Sequence, residues 1–419
     1  MRISKSILAS GLLLAASPLF GATVAVGSCQ PGKTSFATIQ QAATAAPSGT
    51  TISVCPGIYP EQVTINKSFI IKGFTSGNNG AAIITAPSGG MVQNATGIYG
   101  DPIEAQIYAQ GAITVTISDL TLDAANSQLD GLGCAADPVG IYFQNASGTI
   151  TRNSVINDVL SPGLAGCQGG LGILAESTGN SNVAISLNSV QNYQKNGITV
   201  DGFGTSGLTA TITSNTIIGQ GPTTGAAENS IQVAYGASGS ITSNTLGSDV
   251  WSPDVFGDTG DAAAGILVFS SPNVNIKSNN ISNTQYGIAI VSDSGETADG
   301  AIIGSNTIST THLYDAIDLC SNNNVVTANK IDGADESGIH LDSSCTGAST
   351  GSIVKTNTIN SACAGVLVGA SSTGTTSPNT YFNVVNLQMP GTDICAPAPT
   401  RGSKQGATKS HGRFRPAKP

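Results

Sequence analysis

The chain has 419 residues, 52 of them Gly, and only 10% are charged, against about 25% in average soluble domains. This composition excludes a coiled coil, a charge-rich disordered protein and most helical enzymes. Eight of the 16 basic residues lie between residues 6 and 395, together with all 25 acidic residues, so the formal charge of this body is −17. Such an acidic surface disfavours nucleic acid and anionic membranes as partners.

Residues 1–22 have the pattern of a secretory signal peptide. Arg2 and Lys5 precede the apolar run Ile7–Phe20, and small residues follow up to Ala22. We predict cleavage between Ala22 and Ser28 and a secreted protein, which would be extracellular, periplasmic or on the cell surface. The alternative is a membrane anchor, but the run is shorter than the ~20 apolar residues of a transmembrane helix. No other segment predicts a membrane span.

The next elements are a short helix and the first strands. Thr38–Ala46 predicts a helix that caps the open end of a sheet structure, which prevents edge-to-edge aggregation. Gly49–Ile65 and Phe69–Phe74 have Ile and Val at alternate positions and predict strands.

From residue 140 onward a short phrase recurs nine times, a small residue followed by Ile or Val and further alternating apolar residues. An Asn follows each phrase 13 to 19 residues later. The alternation predicts two short strands per unit, and such a unit buries its apolar face only by stacking on its neighbours at ~4.8 Å per strand. We predict a parallel β-helix whose Asn side chains stack in a column, because Asn tolerates left-handed turn positions. The phrases begin at Gly140, Gly172, Gly197, Ser230, Gly265, Gly287, Ala316, Gly338 and Gly365, and the Asn residues are 153, 188, 215, 244, 279, 306, 329, 357 and 383.

The run Thr38–Phe74 resembles the opening of the pectin lyase-like superfamily of right-handed β-helix proteins, and the later phrases look like its repeats. The resemblance covers about residues 36–390. It implies an all-β fold, a single-stranded right-handed parallel β-helix of about 12 coils with a short N-terminal capping helix, which we place at residues 28–395. The superfamily contains many activities. The signature motifs of its pectin esterases, polygalacturonases and alginate epimerases are missing here, so no family site carries over.

Eight cysteines lie in the mature part of the chain, and an even number in a secreted protein favours disulfides over zinc ligands. Their phase in the repeat predicts the pairing, because one coil separates the members of most pairs and the first pair joins the cap to the first strands. Buried free thiols are the alternative. The predicted disulfides are Cys29–Cys55, Cys134–Cys167, Cys320–Cys345 and Cys363–Cys395.

The best catalytic candidates are Asp318, His340 and Asp342. In each phrase the third and fifth residues point away from the coil interior, so His340 is expected to stack on Asp318, and His312 and Asp315 enter the same edge. Asp318 and Asp342 would then lie about 8 Å apart, within the range of the acid and base of inverting glycosidases. A neighbouring imidazole would tune one carboxyl group. The alternative is a solvated acidic stripe with one His.

Two further groups are candidates for binding. Glu176 and Asp201 occupy the fifth position of successive coils, roughly 5 Å apart, where two carboxylates raise one pKa or bind a hard cation such as Ca²⁺; two solvated acids are the alternative. Trp251, the only Trp, lies in an Asp-rich insertion and is either a sugar-stacking platform or a packing residue. The Asp residues of this insertion, 249, 254, 258 and 261, are a weaker Ca²⁺ candidate.

Residues 396–419 are rich in Pro, Gly, Lys and Arg and predict a disordered basic tail. The whole sequence therefore predicts a secreted β-helix protein that binds, and by the acid/base hypothesis cleaves, neutral or weakly charged extracellular polysaccharide. The alternative is a non-catalytic structural or surface-interaction protein. A lyase is disfavoured, because Arg152 is the only Arg of the body. The sequence does not predict an oligomeric state.

Overall fold

The structure is a computed structural model that describes residues 21–74, 80–204, 207–252, 262–293, 295–345 and 347–395. Residues 1–20 of the expected signal peptide, the expected basic tail, and Asp254, Asp258 and Asp261 lie outside the described residues. No helix in the described ranges is long and apolar enough to cross a membrane.

Strands dominate the described residues, with one α-helix and two short 3₁₀ helices. The helix α1 is Ile39–Ala45, and the 3₁₀ helices are Asp130–Ala135 and Pro162–Leu164. The first eighteen strands are β1 Thr23–Val26, β2 Ser35–Phe36, β3 Thr51–Val54, β4 Gly57–Pro60, β5 Val63–Ile65, β6 Phe69–Gly73, β7 Ala82–Thr85, β8 Ala95–Thr96, β9 Pro102–Gln110, β10 Thr114–Ser118, β11 Thr121–Asp123, β12 Pro138–Gln144, β13 Ser147–Thr151, β14 Ser154–Ile156, β15 Leu171–Glu176, β16 Ser181–Ser186, β17 Ser189–Gln191 and β18 Asn196–Asp201. The remaining strands are β19 Leu208–Thr213, β20 Thr216–Thr223, β21 Asn229–Ala234, β22 Ser238–Thr242, β23 Thr245–Trp251, β24 Ala264–Phe269, β25 Asn275–Lys277, β26 Asn280–Thr284, β27 Tyr286–Val291, β28 Ile302–Gly304, β29 Thr307–Thr311, β30 Ile317–Cys320, β31 Val325–Thr327, β32 Lys330–Leu341, β33 Ser352–Lys355, β34 Thr358–Val368, β35 Gly374–Thr375 and β36 Thr380–Pro390.

The strands stack coil upon coil, as the repeat predicts. One sheet contains 14 strands, from β2 and β1 through β3, β6 and β10 to β35, and its neighbours pair in parallel. The strands that carry the repeated phrase form a second parallel stack, in which β12, β15, β18, β21, β24, β27, β30, β32 and β34 follow one another. Strand β1 begins at Thr23, five residues before the expected start of the domain.

The second residue of each phrase points into the coil and forms a continuous aliphatic row. Ile173, Ile198 and Ile231 stack in register and are fully buried, and each such burial stabilises the fold by about 1.5–3 kcal/mol. The first residue of the phrase lies at a close approach between coils. A Cβ added to Gly172 would overlap the side chain of Val190 and the carbonyl of Gly197, which explains the glycine there.

The Asn column exists, with two differences from the prediction. Each ladder Asn from 153 to 357 donates its side-chain amide to the carboxamide oxygen of the next Asn, at 3.0–3.1 Å. The column ends at Asn379, whereas Asn383 lies off it and bonds to Asn360. The left-handed residue is the one before the ladder Asn, for example Ser243 with φ 57°. Asn therefore suits this position because its side chain carries both a hydrogen-bond donor and an acceptor. Its own backbone conformation is not the reason.

All four predicted disulfides are present, and the described residues contain no free cysteine. The predicted helix is also present. Thr38 caps α1 by accepting a hydrogen bond from the Gln41 N–H at 3.1 Å, and Ile39 is buried against the first strands. The repeat phase therefore predicted three of the four pairings correctly, and the expected link between the cap and the first strands predicted Cys29–Cys55.

Candidate functional site

The structure brings the three catalytic candidates together, and a carboxyl oxygen of Asp318 lies within 4.8 Å of one of Asp342, so the predicted separation of about 8 Å is too long. Asp318 on β30 and His340 on β32 are register partners, as predicted. His340 Nδ1 lies 3.9 Å from Asp318 Oδ1, and His340 Nε2 lies 3.9 Å from Asp342 Oδ1. Asp315 is the closest acid, because its Oδ2 lies 3.1 Å from Nδ1. We call Asp315, Asp318, Glu336, His340, Asp342 and Asp393 the acidic cluster.

All members of the acidic cluster except Asp393 are sealed from solvent, which the sequence did not predict. Asp318, His340 and Asp342 point away from the coil interior but are at most 2% exposed. The C-terminal segment after β36 lies against the cluster. Asp393 Oδ1 is 3.8 Å from His340 Nε2 and accepts from the N–H and hydroxyl of Ser343, and the Cys395 N–H donates to Glu336 Oε1 at 3.1 Å. The alternative of a solvated acidic stripe is therefore wrong for these three residues. A glycan cannot contact Asp318 and Asp342 in this conformation.

Burial and mutual repulsion govern the protonation of the acidic cluster. Burial, followed by the charge of Asp342, raises the pKa of Asp318 well above its usual value, and burial and Asp315 do the same for Glu336. Burial lowers the pKa of His340, but Asp315, Asp393 and Asp342 together raise it well above its usual value. The hydrogen bond from His340 holds the pKa of Asp393 low. An imidazolium paired with Asp315 and Asp393, beside a protonated Asp318, is consistent with these directions.

Glu176 and Asp201 are register partners on β15 and β18, as the repeat predicts. Each has its own hydrogen bonds: Glu176 accepts from the hydroxyl of Tyr142 at 2.6 Å and the N–H of Ile98 at 3.1 Å, and Asp201 accepts from Gln232 at 3.1 Å. Both are at least 95% buried. Burial raises the pKa of both carboxyl groups. The clusters of potential metal ligands found in the described residues do not include this pair, and its role as a Ca²⁺ site stays a hypothesis.

Four aromatic rings form a row at the turn edge beside Glu176 and Asp201. Tyr99 lies between Phe203 and Tyr235, with ring centroids 5.5 and 5.3 Å apart, and Tyr235 is 5.6 Å from Phe269. Phe203 is 51% exposed, and Tyr99 and Tyr235 are half-buried. We call Tyr99, Phe203, Tyr235 and Phe269 the aromatic row.

An open polar depression lies next to the aromatic row on the same face. It is lined by Gln93, Asn94, Ala95, Thr96, Tyr108 and Gln110. Gln110, Gln144, Glu176, Asp201, Ala234 and Phe269 are consecutive register partners. The depression and the aromatic row are therefore parts of one surface that runs along the coil axis for about 24 Å, at five steps of ~4.8 Å.

Comparisons with known proteins agree with this architecture. The right-handed beta helix region family matches residues 203–382. The chain is a right-handed parallel β-helix protein. This fold is consistent with the pectin lyase-like superfamily, as the resemblance implied. No curated protein sequence matches the chain.

Three solved structures show the same fold at low sequence identity. A GH136 lacto-N-biosidase from Eubacterium ramulus has a TM-score of 0.61 and 10% identity over 86% of this β-helix protein and 67% of its own chain. The catalytic domain of a GH87 α-1,3-glucanase in complex with nigerose has a TM-score of 0.58 and 16% identity over 88% of this chain and 66% of its own. The Dettilon tailspike protein has a TM-score of 0.56 and 16% identity over 80% of this chain and 62% of its own. At these identities the likeness shows the fold alone.

Trp251 lies apart from the aromatic row of the β-helix protein. Its indole N–H donates to the carbonyl of Gly225 at 2.9 Å and its backbone N–H donates to Gln285 at 3.0 Å, so the side chain packs one insertion against another. Asp249 is buried and accepts hydrogen bonds from Tyr193 and Ser230 at 2.6 and 2.5 Å. The sugar-stacking role of Trp251 stays a prediction.

The aromatic row and two members of the acidic cluster were missed by sequence analysis. Phe203 and Tyr235 follow their phrases at positions that differ by one residue. This signal is weak, and a comparison of the repeats that allows a shift of one residue would have found it. Tyr99, Glu336 and Asp393 lie outside the repeated phrase, and no periodic signal could identify them.

Proposed function

We propose that this β-helix protein is secreted and binds extracellular polysaccharide along the surface formed by the aromatic row and the polar depression. The observation that carries the proposal is the aromatic row. Three of its rings, Tyr99, Phe203 and Tyr235, are partly exposed and offer flat apolar faces to the C–H faces of sugar rings. Four disulfides support an oxidising, extracytoplasmic location.

The polar groups of the surface favour a neutral or weakly charged glycan. Amide side chains line the depression, and amides both donate to and accept from sugar hydroxyls. Burial, followed by the charge of Asp201, raises the pKa of Tyr99 and Tyr235, so both phenols stay neutral. The Tyr99 hydroxyl donates to the carbonyl of Gly202 at 2.6 Å and can only accept from a glycan. The formal charge of the body repels polyanions. Two of the similar structures, a lacto-N-biosidase and an α-1,3-glucanase, are carbohydrate-active enzymes, which supports polysaccharide as the ligand class.

The proposal is tested with a panel of neutral and acidic polysaccharides in affinity electrophoresis. We expect retardation by at least one neutral glycan, and Phe203→Ala should weaken binding by about 1–3 kcal/mol, the size of base stacking on aromatic side chains. Phe382→Ala is the matched control, because Phe382 is 56% exposed but lies on β36 away from the row. Equal losses for the two variants, or no binding to any glycan, would favour the non-catalytic structural or surface-interaction alternative.

Cleavage of the bound glycan by the acidic cluster is a second candidate function. It is favoured by the raised pKa of Asp318, which keeps a proton on a carboxyl group near Asp342. It requires the C-terminal segment to leave the cluster. The same panel is assayed for reducing-end release, and the hypothesis expects Asp318→Asn and Asp342→Asn each to lower turnover by orders of magnitude. A wild-type protein that binds glycan but releases no reducing ends would contradict it.

A further inference from the structure

One side of His340 has the geometry of a metal-binding site. Nδ1 of His340 lies 3.1 Å from Asp315 Oδ2 and 3.9 Å from Asp318 Oδ1, and one ligand atom from each of the three residues lies within 4.8 Å of the others. Ligand atoms around a cation with bonds of about 2.0–2.2 Å lie about 3.0–3.5 Å apart when adjacent and about 4.2 Å apart when opposite. The three atoms therefore need to move by only a few tenths of an ångström to share one cation.

A second observation indicates a ligand in this place. Asp318 is 98% buried, yet its Oδ1, which faces the imidazole, has no hydrogen-bond partner among the described residues. Its Oδ2 lies 3.5 Å from the Sγ of Cys320. That sulfur belongs to the disulfide with Cys345 and has no hydrogen to donate. Burial of a carboxyl oxygen without a partner costs free energy, and a cation would supply the missing interaction.

We propose that the Nδ1 of His340 and the carboxylates of Asp315 and Asp318 bind one divalent cation of the Mn²⁺ or Zn²⁺ class. One imidazole with two carboxylates suits these borderline cations better than Ca²⁺, which prefers six to eight oxygen ligands. The disulfide excludes Cys320 and Cys345 as thiolate ligands. The cation would also offset the repulsion among the five carboxyl groups of the acidic cluster.

The surroundings of the three ligands orient them. Ser337 donates its hydroxyl to Asp315 Oδ1 at 2.5 Å, which leaves Oδ2 directed at the imidazole. The other ring nitrogen, Nε2, faces Asp342 Oδ1 at 3.9 Å and Asp393 Oδ1 at 3.8 Å. A histidine ligand whose second nitrogen faces a carboxylate is the usual arrangement in metal sites, because the carboxylate sets the tautomer and the ring orientation.

The proposed cation site is separate from the proposed glycan-binding surface and shares no residue with it. It competes with the acid/base hypothesis, because a carboxylate that binds a cation cannot act as the proton donor. Bound metal with no reducing-end release supports the cation site, whereas reducing-end release that persists after complete metal removal supports the acid.

The experiment measures metal content and affinity in the full secreted chain. Protein purified without chelators is analysed by inductively coupled plasma mass spectrometry, then unfolded in chelator with its disulfides intact and refolded with and without Zn²⁺ or Mn²⁺. We expect about one equivalent of metal and a higher Tm in the refolded metal-bound protein. Asp318→Asn and His340→Gln should weaken the affinity by more than about 100-fold, and Ser337→Ala by about 10- to 100-fold.

Asp332→Asn is the matched control, because Asp332 lies on the same strand as His340 but is exposed. Its affinity should equal that of the wild type. Asp318→Asn is expected to fold, because the amide has nearly the same shape as the protonated carboxyl group. If a variant does not refold, the spectrum of Co²⁺-loaded wild-type protein shows whether an imidazole is a ligand. No bound metal, equal affinity in Asp318→Asn, or binding of Ca²⁺ alone would overturn the proposal.

Discussion

Asn244 illustrates how one side chain ties neighbouring coils together. Its carboxamide oxygen accepts from both the backbone N–H and the side-chain amide of Asn215, at 2.9 and 3.0 Å. Its own amide donates to the carbonyl of Ile212 and to Asn279, both at 3.0 Å. All of these groups are buried, so each bond replaces contacts with water that the folded chain cannot make.

Replacement of Asn244 by Ala should lower the free energy of unfolding by about 2–4 kcal/mol. The Asn215 N–H and the Ile212 carbonyl would lose their partners inside the coil, and each unsatisfied buried group costs about 1–3 kcal/mol. Urea denaturation measures the change. Asn182→Ala is the control, because Asn182 is exposed on β16 and should change stability by less than about 0.5 kcal/mol. Equal effects at the two positions would contradict the energetic role of the column.

The element that decides access to the acidic cluster is the C-terminal segment after β36. The Cys363–Cys395 disulfide attaches this segment to β34, and Asp393 and Cys395 contact Ser343 and Glu336. The last strand itself is partly or fully exposed along its whole length. The segment therefore depends on the disulfide and on a few polar contacts for its position over the cluster.

Removal of this disulfide by Cys363→Ala and Cys395→Ala should lower the free energy of unfolding by about 3–4 kcal/mol, because the closed loop spans 32 residues. It should also speed hydrogen exchange at the backbone amides of positions 343 and 395, which donate to Asp393 and Glu336. The paired substitution of Cys134 and Cys167 is the control, since its loop spans 33 residues and costs a similar entropy. If exchange at these two amides does not differ between the two variants, the C-terminal segment does not depend on its disulfide.

Across the whole molecule, buried carboxyl groups link stability to pH. Burial raises the pKa of Asp137 and Asp249 to about 7 and that of Glu228 to about 9, whereas the unfolded chain has values near 4. The folded state therefore binds more protons than the unfolded state between pH ~4 and these values. The stability contributed by the protonated groups is complete below pH ~4 and falls as pH rises.

We expect the free energy of unfolding to decrease from pH 5 to pH 8, by at most about 1.4 kcal/mol per pH unit for each such group. Urea denaturation at several pH values measures the slope. Glu228→Gln should make the slope shallower, because the amide mimics the neutral acid at every pH. Asp332→Asn, at an exposed carboxylate, should leave the slope unchanged. Stability that rises over this range would show that these carboxyl groups are ionised in the folded protein.

Periodic features were determined by the sequence alone. The phrase and its following Asn set the phase of each coil. That phase was sufficient to predict the register of Asp318 with His340 and of Glu176 with Asp201, the Asn column from 153 to 357 and three of the four disulfides. This works because a stack of parallel strands keeps one register from coil to coil, so equal positions in the repeat become neighbours in space.

Features that depend on segments outside the repeat were decided only by the tertiary structure. Position in the phrase predicts which side chains point outward, but not that Asp393 lies against His340, or that Tyr99 lies between Phe203 and Tyr235. Burial of these groups depends on contacts between residues that are far apart in sequence and follow no common period. The pKa shifts of the acidic cluster and the geometry of the aromatic row result from those contacts, because desolvation and neighbouring charge depend on three-dimensional packing.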